Sequence, residues 1–150
     1  MLKKILFGVG VVAVAGVAYV RLSPTDLATY HVAPVATEAG DDAGAHSFKA
    51  ARQITAPAAD VLRAVDSVAR QTERTQLVAG SVGEGLMTYE TRSALMGYPD
   101  YTTVTVVDGP DGPLLVILGR ARFGSSDMGV NRERVEAWLA QLGPLVVPAS

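Results

Sequence analysis

Residues 5–20 carry no charge, while Lys3 and Lys4 stand just before them and Arg21 just after. A helix made of such a run is apolar on every face, so it belongs in a core or in a bilayer. The run is slightly shorter than the ~20 residues a membrane span ordinarily needs. Leu2 and Leu22 extend it, and the lysines and Arg21 can snorkel towards headgroups. Tyr19 stands where an interfacial aromatic belongs, and the basic N-terminal flank predicts an N-terminus in the cytoplasm with the remainder outside. Residues 1–22 are therefore read as a retained anchor. The alternative is a cleaved signal peptide, with Gly16-Val17-Ala18 supplying small residues before Tyr19. Either reading exports the domain.

The chain of 150 residues leaves room for one modest core. Its formal charge of -2 conceals an asymmetry, because all 15 acids lie beyond Arg21. A net-acidic domain is a poor general ligand for nucleic acid, which needs a basic face. With 0 cysteines, disulfides, thiolate metal sites and cysteine nucleophiles are excluded. Both histidines, His31 and His46, fall in residues 23–47, a Pro-, Ala-, Gly- and Asp-rich stretch without sustained period. That stretch reads as a flexible linker, mobile over residues 36–45, with a short turn capped near Ser23-Pro24-Thr25-Asp26. Two such histidines do not make a zinc site, and no metal or other cofactor is expected.

Residues 48–150 read as the globular domain. Residues 48–54 alternate as a short strand, and Thr55-Ala56-Pro57 opens a helix. Its apolar stripe is Val61, Leu62, Val65, Val68 and Ala69, ending near Gln71. Strands come next over residues 76–82 and 86–92, joined by Gly83-Glu84-Gly85. Residues 101–107 are rich in β-branched side chains with weak alternation. Residues 114–118 are continuously apolar, as in a central strand covered on both faces. A last helix buries Val135, Trp138, Leu139 and Leu142, with Asn131 or Asp127 as its N-cap, and Gly143-Pro144 stops it. The order β-α-β-β-β-β-α predicts an α+β two-layer sandwich, an antiparallel four- to five-stranded sheet with two helices on one face. An N-terminal transmembrane helix precedes it.

The stretch TRSALMGYPDYTTVTV, followed by GRARFGSSDMGVNRERVEAWLAQL, resembles the bacterial family catalogued as domain of unknown function 1499. Gly97-Tyr98-Pro99-Asp100 matches the family's turn before a strand. Gly124, Ser126-Asp127, Gly129-Val130-Asn131-Arg132 and Arg134 match its strand-to-helix element. Where members commonly place serines beside the strand-end arginines, this chain has Gly119 and Ala121. The resemblance implies a domain but brings no activity with it. It sets the anchor in a bacterial inner membrane, single pass, with the domain on the periplasmic side.

The candidate residues are Arg92, Asp100, Arg120, Arg122, Asp127, Asn131 and Arg132. The first reading is a structural corner, with Asp127 and Asn131 capping the last helix and arginines pairing with acids. The second is an anion site, formed by that helix's N-terminal N–H groups with Arg122 and Arg132. Catalysis ranks last. Ser125 and Ser126 have no histidine in the domain, and Asp100 with Asp127 would have to be close and differently solvated. The expected function is non-enzymatic binding of a partner protein or envelope component. The alternative is a small apolar-ligand or lipid-binding module, through a loose likeness to START-like helix-grip domains. A hydrolase-like enzyme is the remote alternative.

Overall fold

The computed structural model describes residues 2–148. The side chains of Lys3 and Lys4, expected to flank the span, lie outside its described side chains. Helix α1 (Leu2–Leu22) contains the uncharged run. Residues 5–16 are exposed throughout, and only residues 17, 18 and 20 lose surface to the domain. Over Ile5–Leu22 this helix is long and apolar enough to cross a membrane.

The domain is one antiparallel sheet with two helices on a single face. Its strands are β1 (Gly40–Ala43), β2 (Ser47–Gln53), β3 (Thr75–Ser81), β4 (Leu86–Arg92), β5 (Pro99–Gly109) and β6 (Gly112–Ala121), in the spatial order β1-β2-β6-β5-β4-β3. The α+β class and the expected order hold from β2 onward. The sixth strand, β1, arises in the stretch read as a mobile linker. Gly40 to Ala43 pair with Ala51 to Phe48, so the ladder of β2 orders a segment with no apolar signal of its own. All four β1 residues are exposed, as suits a short edge strand.

Helix α3 (Ala58–Gln71) starts behind Pro57 and buries Val61, Leu62, Val65 and Ala69. Helix α4 (Val130–Leu142) buries Val135, Trp138 and Leu142, with Leu139 partly covered. They close on Phe48, Ala50, Met87, Tyr89, Val104, Leu115 and Ile117 of the sheet. Trp138 anchors this layer, its Nε1 donating to Thr72 Oγ1 at 2.9 Å and its ring meeting Tyr89 edge-on at 5.6 Å. Past α4, Gly143–Leu145 forms one 3-10 turn, and Val146 bridges to Ile54, holding the apolar tail on the domain.

The opposite face of the sheet is covered too, by residues 23–36. They include the short helix α2 (Leu27–Tyr30), capped by Asp26, which accepts from Ala28 N at 3.1 Å. This second cover explains why Leu114, Val116 and Ala51 are buried on the face away from α3 and α4. It also explains the weak alternation of β5: Tyr101 to Thr105 are buried on both faces.

Candidate functional site

The seven expected residues gather at one end of the sheet, where Arg92 faces Pro99 and Asp100 faces Ala121 across neighbouring strands. They do not form one cluster. Side chains two apart on a strand share a face. Asp100 therefore joins the helix layer, while Arg92, Arg120 and Arg122 serve the face covered by residues 23–36.

On the helix side the centre is Asn131, which is fully buried. The N-cap position of α4 is Gly129 in the left-handed region (φ 84°), so neither expected residue occupies it. Asp127 performs the capping from upstream. Its carboxylate accepts from Gly129 N at 3.1 Å, Asn131 N at 3.1 Å and Asn131 Nδ2 at 2.8 Å. Asn131 Oδ1 accepts from Arg134 at 2.8 Å, and Arg134 also holds Asp100 Oδ2 at 3.1 Å. A chain Asp127–Asn131–Arg134–Asp100 thus ties the helix start to β5. Arg134 matched the family pattern but was not among the expected site residues. Its spacing of three from Asn131 was the available signal.

Burial raises the Asp100 carboxyl, with Arg134 opposing that rise and the Asp127 charge adding to it. At Asp127 burial also pushes upward, but hydrogen bonds from Asn131 and Gly129 outweigh it and hold the carboxyl below its ordinary value. Oppositely shifted carboxyls are a signature of acid/base pairs. Here, however, both are engaged internally. The adjoining hollow of about 230 Å³ is lined by Asp127, Ser126 and Arg132 but not by Asp100. Ser126 Oγ accepts from Met128 N at 3.2 Å.

Arg132 stands apart, its guanidinium 4.4 Å from the Phe48 ring centroid and 3.5 Å from Glu136. The anion arrangement expected from Arg122, Arg132 and the helix N-terminus is therefore not assembled. The two arginines have different surroundings, and the Asp127 carboxylate already takes Gly129 N and Asn131 N.

The other face holds a second polar network. Glu90, only 3% exposed, takes two hydrogen bonds from Arg92, at 2.7 and 3.1 Å. Tyr101 donates its hydroxyl to Glu90 at 3.1 Å, and Thr25 meets that hydroxyl at 2.6 Å. Arg120 donates to the Tyr30 carbonyl at 2.5 Å, the Thr29 carbonyl at 3.3 Å and Thr103 Oγ1 at 3.0 Å, and its guanidinium lies 5.2 Å from the Tyr30 ring centroid. Its Nε is buried and has no hydrogen-bond partner among the described residues. Desolvation lowers its pKa. Arg122 donates to the Ser23 carbonyl at 3.3 Å and stacks on Phe123 at 5.0 Å.

His31, in the stretch read as a flexible linker, meets Thr88 Oγ1 at 2.9 Å, and Tyr30 stacks on Tyr101 at 4.1 Å. Sequence reading missed Glu90, Tyr101, Thr25 and Tyr30. The partners of Glu90 and Tyr101 are non-local, and Thr25 and Tyr30 sat in a segment without period. No group of three or more metal-ligating side chains gathers among the described residues.

The family profile described as "Protein of unknown function (DUF1499)" matches residues 26–142. The chain belongs to the DUF1499 family. The match begins at Asp26, so the cover over the outer face lies within the family's own extent from α2 onward, with Ser23 and Thr25 just before it. The domain is similar to the crystal structure of protein MLL2253 from Mesorhizobium loti, with TM-score 0.50 and 13% identity over 66% of this chain and 95% of that one. Protein CV1439 from Chromobacterium violaceum aligns with TM-score 0.35 and 20% identity over 69% of this chain and 99% of that one. No curated protein matches the chain. For this DUF1499 domain the first likeness speaks to fold.

Proposed function

We propose that this DUF1499 protein is a membrane-tethered, extracytoplasmic domain that binds a partner protein or envelope component and is not an enzyme. The observation that carries this reading is the way the polar network is used. Arg120, Arg122, Tyr101 and Thr88 hold residues 23–31, the stretch directly after α1, against the sheet. A latch of that kind gives the domain a fixed attitude on its anchor, which a binding platform needs and a freely diffusing enzyme does not. The helix-side network supports the same reading, because its acids and amide are satisfied by one another.

At the far end of the sheet from α1, an open groove of about 560 Å³ is lined by Leu139, Ala140, Pro144, Val146 and Val147, with Arg52 and Glu136 at its edge. An apolar floor with a few charges is the make-up of a recognition surface. On this reading it faces away from the membrane, towards an envelope partner.

The absence of cysteine makes a clean test possible. Glu84→Cys, in the exposed hairpin at the far end, should react with a membrane-impermeant maleimide in intact spheroplasts, and the protein should resist carbonate extraction. Labelling only after lysis, or release by carbonate, would end the tethered reading. A photo-crosslinker at position 140 should give a discrete protein adduct that Val147→Asp removes.

The groove also favours a second reading, a small apolar ligand or lipid. Native mass spectrometry of the detergent-purified chain decides between them. A stoichiometric lipid lost in Leu139→Asp favours the ligand module, and none favours the protein partner.

A further inference from the structure

We infer that the end of the sheet from which α1 leaves is a bilayer-docking surface, with residues 93–98 and 122–129 seated in the phospholipid headgroup layer. The inference rests on the tethered reading above and adds where the domain sits on its membrane.

Three observations carry it. The first is position. The loop between β4 and β5 and the loop between β6 and α4 leave the same sheet end, and both touch the end of α1. Phe123 meets Tyr19 at 6.5 Å and Tyr98 at 6.0 Å, while Arg21 packs on the Gly97 backbone.

The second is length. At about 1.5 Å per residue, the uncharged run of α1 spans roughly 24 Å, against about 30 Å of hydrocarbon. Extending the run to Leu22 adds only two residues, about 3 Å. A helix that short brings its last turn to the interface, and residues 17, 18 and 20 in that turn are the ones that lose surface to the domain. The loops are drawn down with it.

The third is chemistry. Leu95 is 86% exposed and Met128 is 89% exposed, and Tyr98 and Val130 are partly so. One exposed leucine needs no explanation, but an apolar set on two loops beside a membrane helix does. Arg21 and Arg122 accompany it, and neither has a carboxylate within ion-pair distance among the described residues. Guanidinium groups with aromatic neighbours are the side chains that settle among lipid phosphates.

The test uses the full chain, reconstituted in vesicles of phosphatidylglycerol and phosphatidylcholine with and without spin-labelled lipid. An environment-sensitive fluorophore is placed on single cysteines replacing Val12, Leu95, Met128 or Glu84. Labels at positions 12, 95 and 128 should be quenched by the lipid spin label, and the label at 84 should not. Quenching at 12, with 95 and 128 behaving like 84, overturns docking while the tether stands. No quenching at 12 removes the tether and docking together. A blue shift at 95 and 128 without lipid quenching identifies a protein occupant and overturns the inference, as does equal quenching at 84.

Discussion

Replacing Gly119 with alanine should destabilise the domain out of proportion to one methyl group. A Cβ at position 119 would lie 2.7 Å from Asn131 Oδ1 and 3.1 Å from Asn131 Cβ. Asn131 cannot swing aside, because Asp127 and Arg134 hold both ends of its amide. Overpacking of this kind costs about 1–3 kcal/mol. Asn131→Ala alone removes two hydrogen bonds to charged groups, for a loss of about 3 kcal/mol. At about 4 °C per kcal/mol for a domain of this size, that is a fall of roughly 12 °C. In the double variant the 2.7 Å contact is gone and only the Cβ approach remains. The combined loss should therefore fall short of the sum by about 1–2 kcal/mol. Trp138, the single tryptophan and 1% exposed, reports unfolding of the domain. Additivity within about 0.5 kcal/mol in urea melts would refute the claim that Gly119 exists to admit Asn131.

Asp127→Asn should lower stability at neutral pH. Because the native Asp127 carboxyl is held below its unfolded value, the wild-type advantage is full above an unfolded pKa of about 3.9. It is lost as pH falls through the lower folded value, so the urea midpoints of the two proteins should converge in acid. Asp100 has the opposite sign. Its raised carboxyl favours the fold most below the unfolded value and loses that favour as pH rises through the folded one, so Asp100→Asn should flatten the profile in that window. Glu90→Ala leaves the Arg92 guanidinium without its partner, and a loss of about 3 kcal/mol is expected by chemical denaturation. Arg120→Gln should leave the Trp138 transition nearly in place while raising hydrogen exchange at residues 27–31. Unchanged exchange there would show that the latch does not depend on Arg120.

How much of this was legible in the residues depends on where the information lay. Val61, Leu62, Val65 and Ala69, or Val135, Trp138 and Leu142, announce buried helix faces through spacing alone. The continuous run at residues 114–118 announced a strand covered twice, and β6 lies between β2 and β5 with both faces buried. The thing that covers its second face was not legible. Tyr30 and His31 sit among Pro, Ala and Thr in a stretch with no period, and they are ordered by side chains some 60 to 90 positions away. The same blindness divided the site. Sequence grouped Arg120, Arg122, Asp100, Asp127 and Asn131 as one candidate corner. It could not say that Asp100 belongs with the helices while the arginines belong with the cover, because no single β5 pattern distinguishes two buried faces.

That division bears on what the arginines are for. A guanidinium half out of water and without a carboxylate is costly to keep unless its hydrogen bonds are supplied otherwise. Arg120 is in that state, with carbonyls of Thr29 and Tyr30 and the Tyr30 ring in place of an acid. An acid there would make the pair self-sufficient, and residues 27–31 could leave without exposing an unsatisfied charge. With carbonyls as its acceptors, Arg120 loses its partners as soon as the segment lifts, so the charge itself resists lifting. Arg122 on the Ser23 carbonyl repeats the device nearer to α1. Glu90, which does have an arginine, meets the segment at Thr25, directly at 3.4 Å and through the Tyr101 hydroxyl. The two arginines thus hold the stretch after α1 through its backbone carbonyls, contacts that do not depend on the side chain of Ser23 or Thr29. Thr29→Ala should consequently leave hydrogen exchange over residues 27–31 close to wild type, whereas Arg120→Gln raises it.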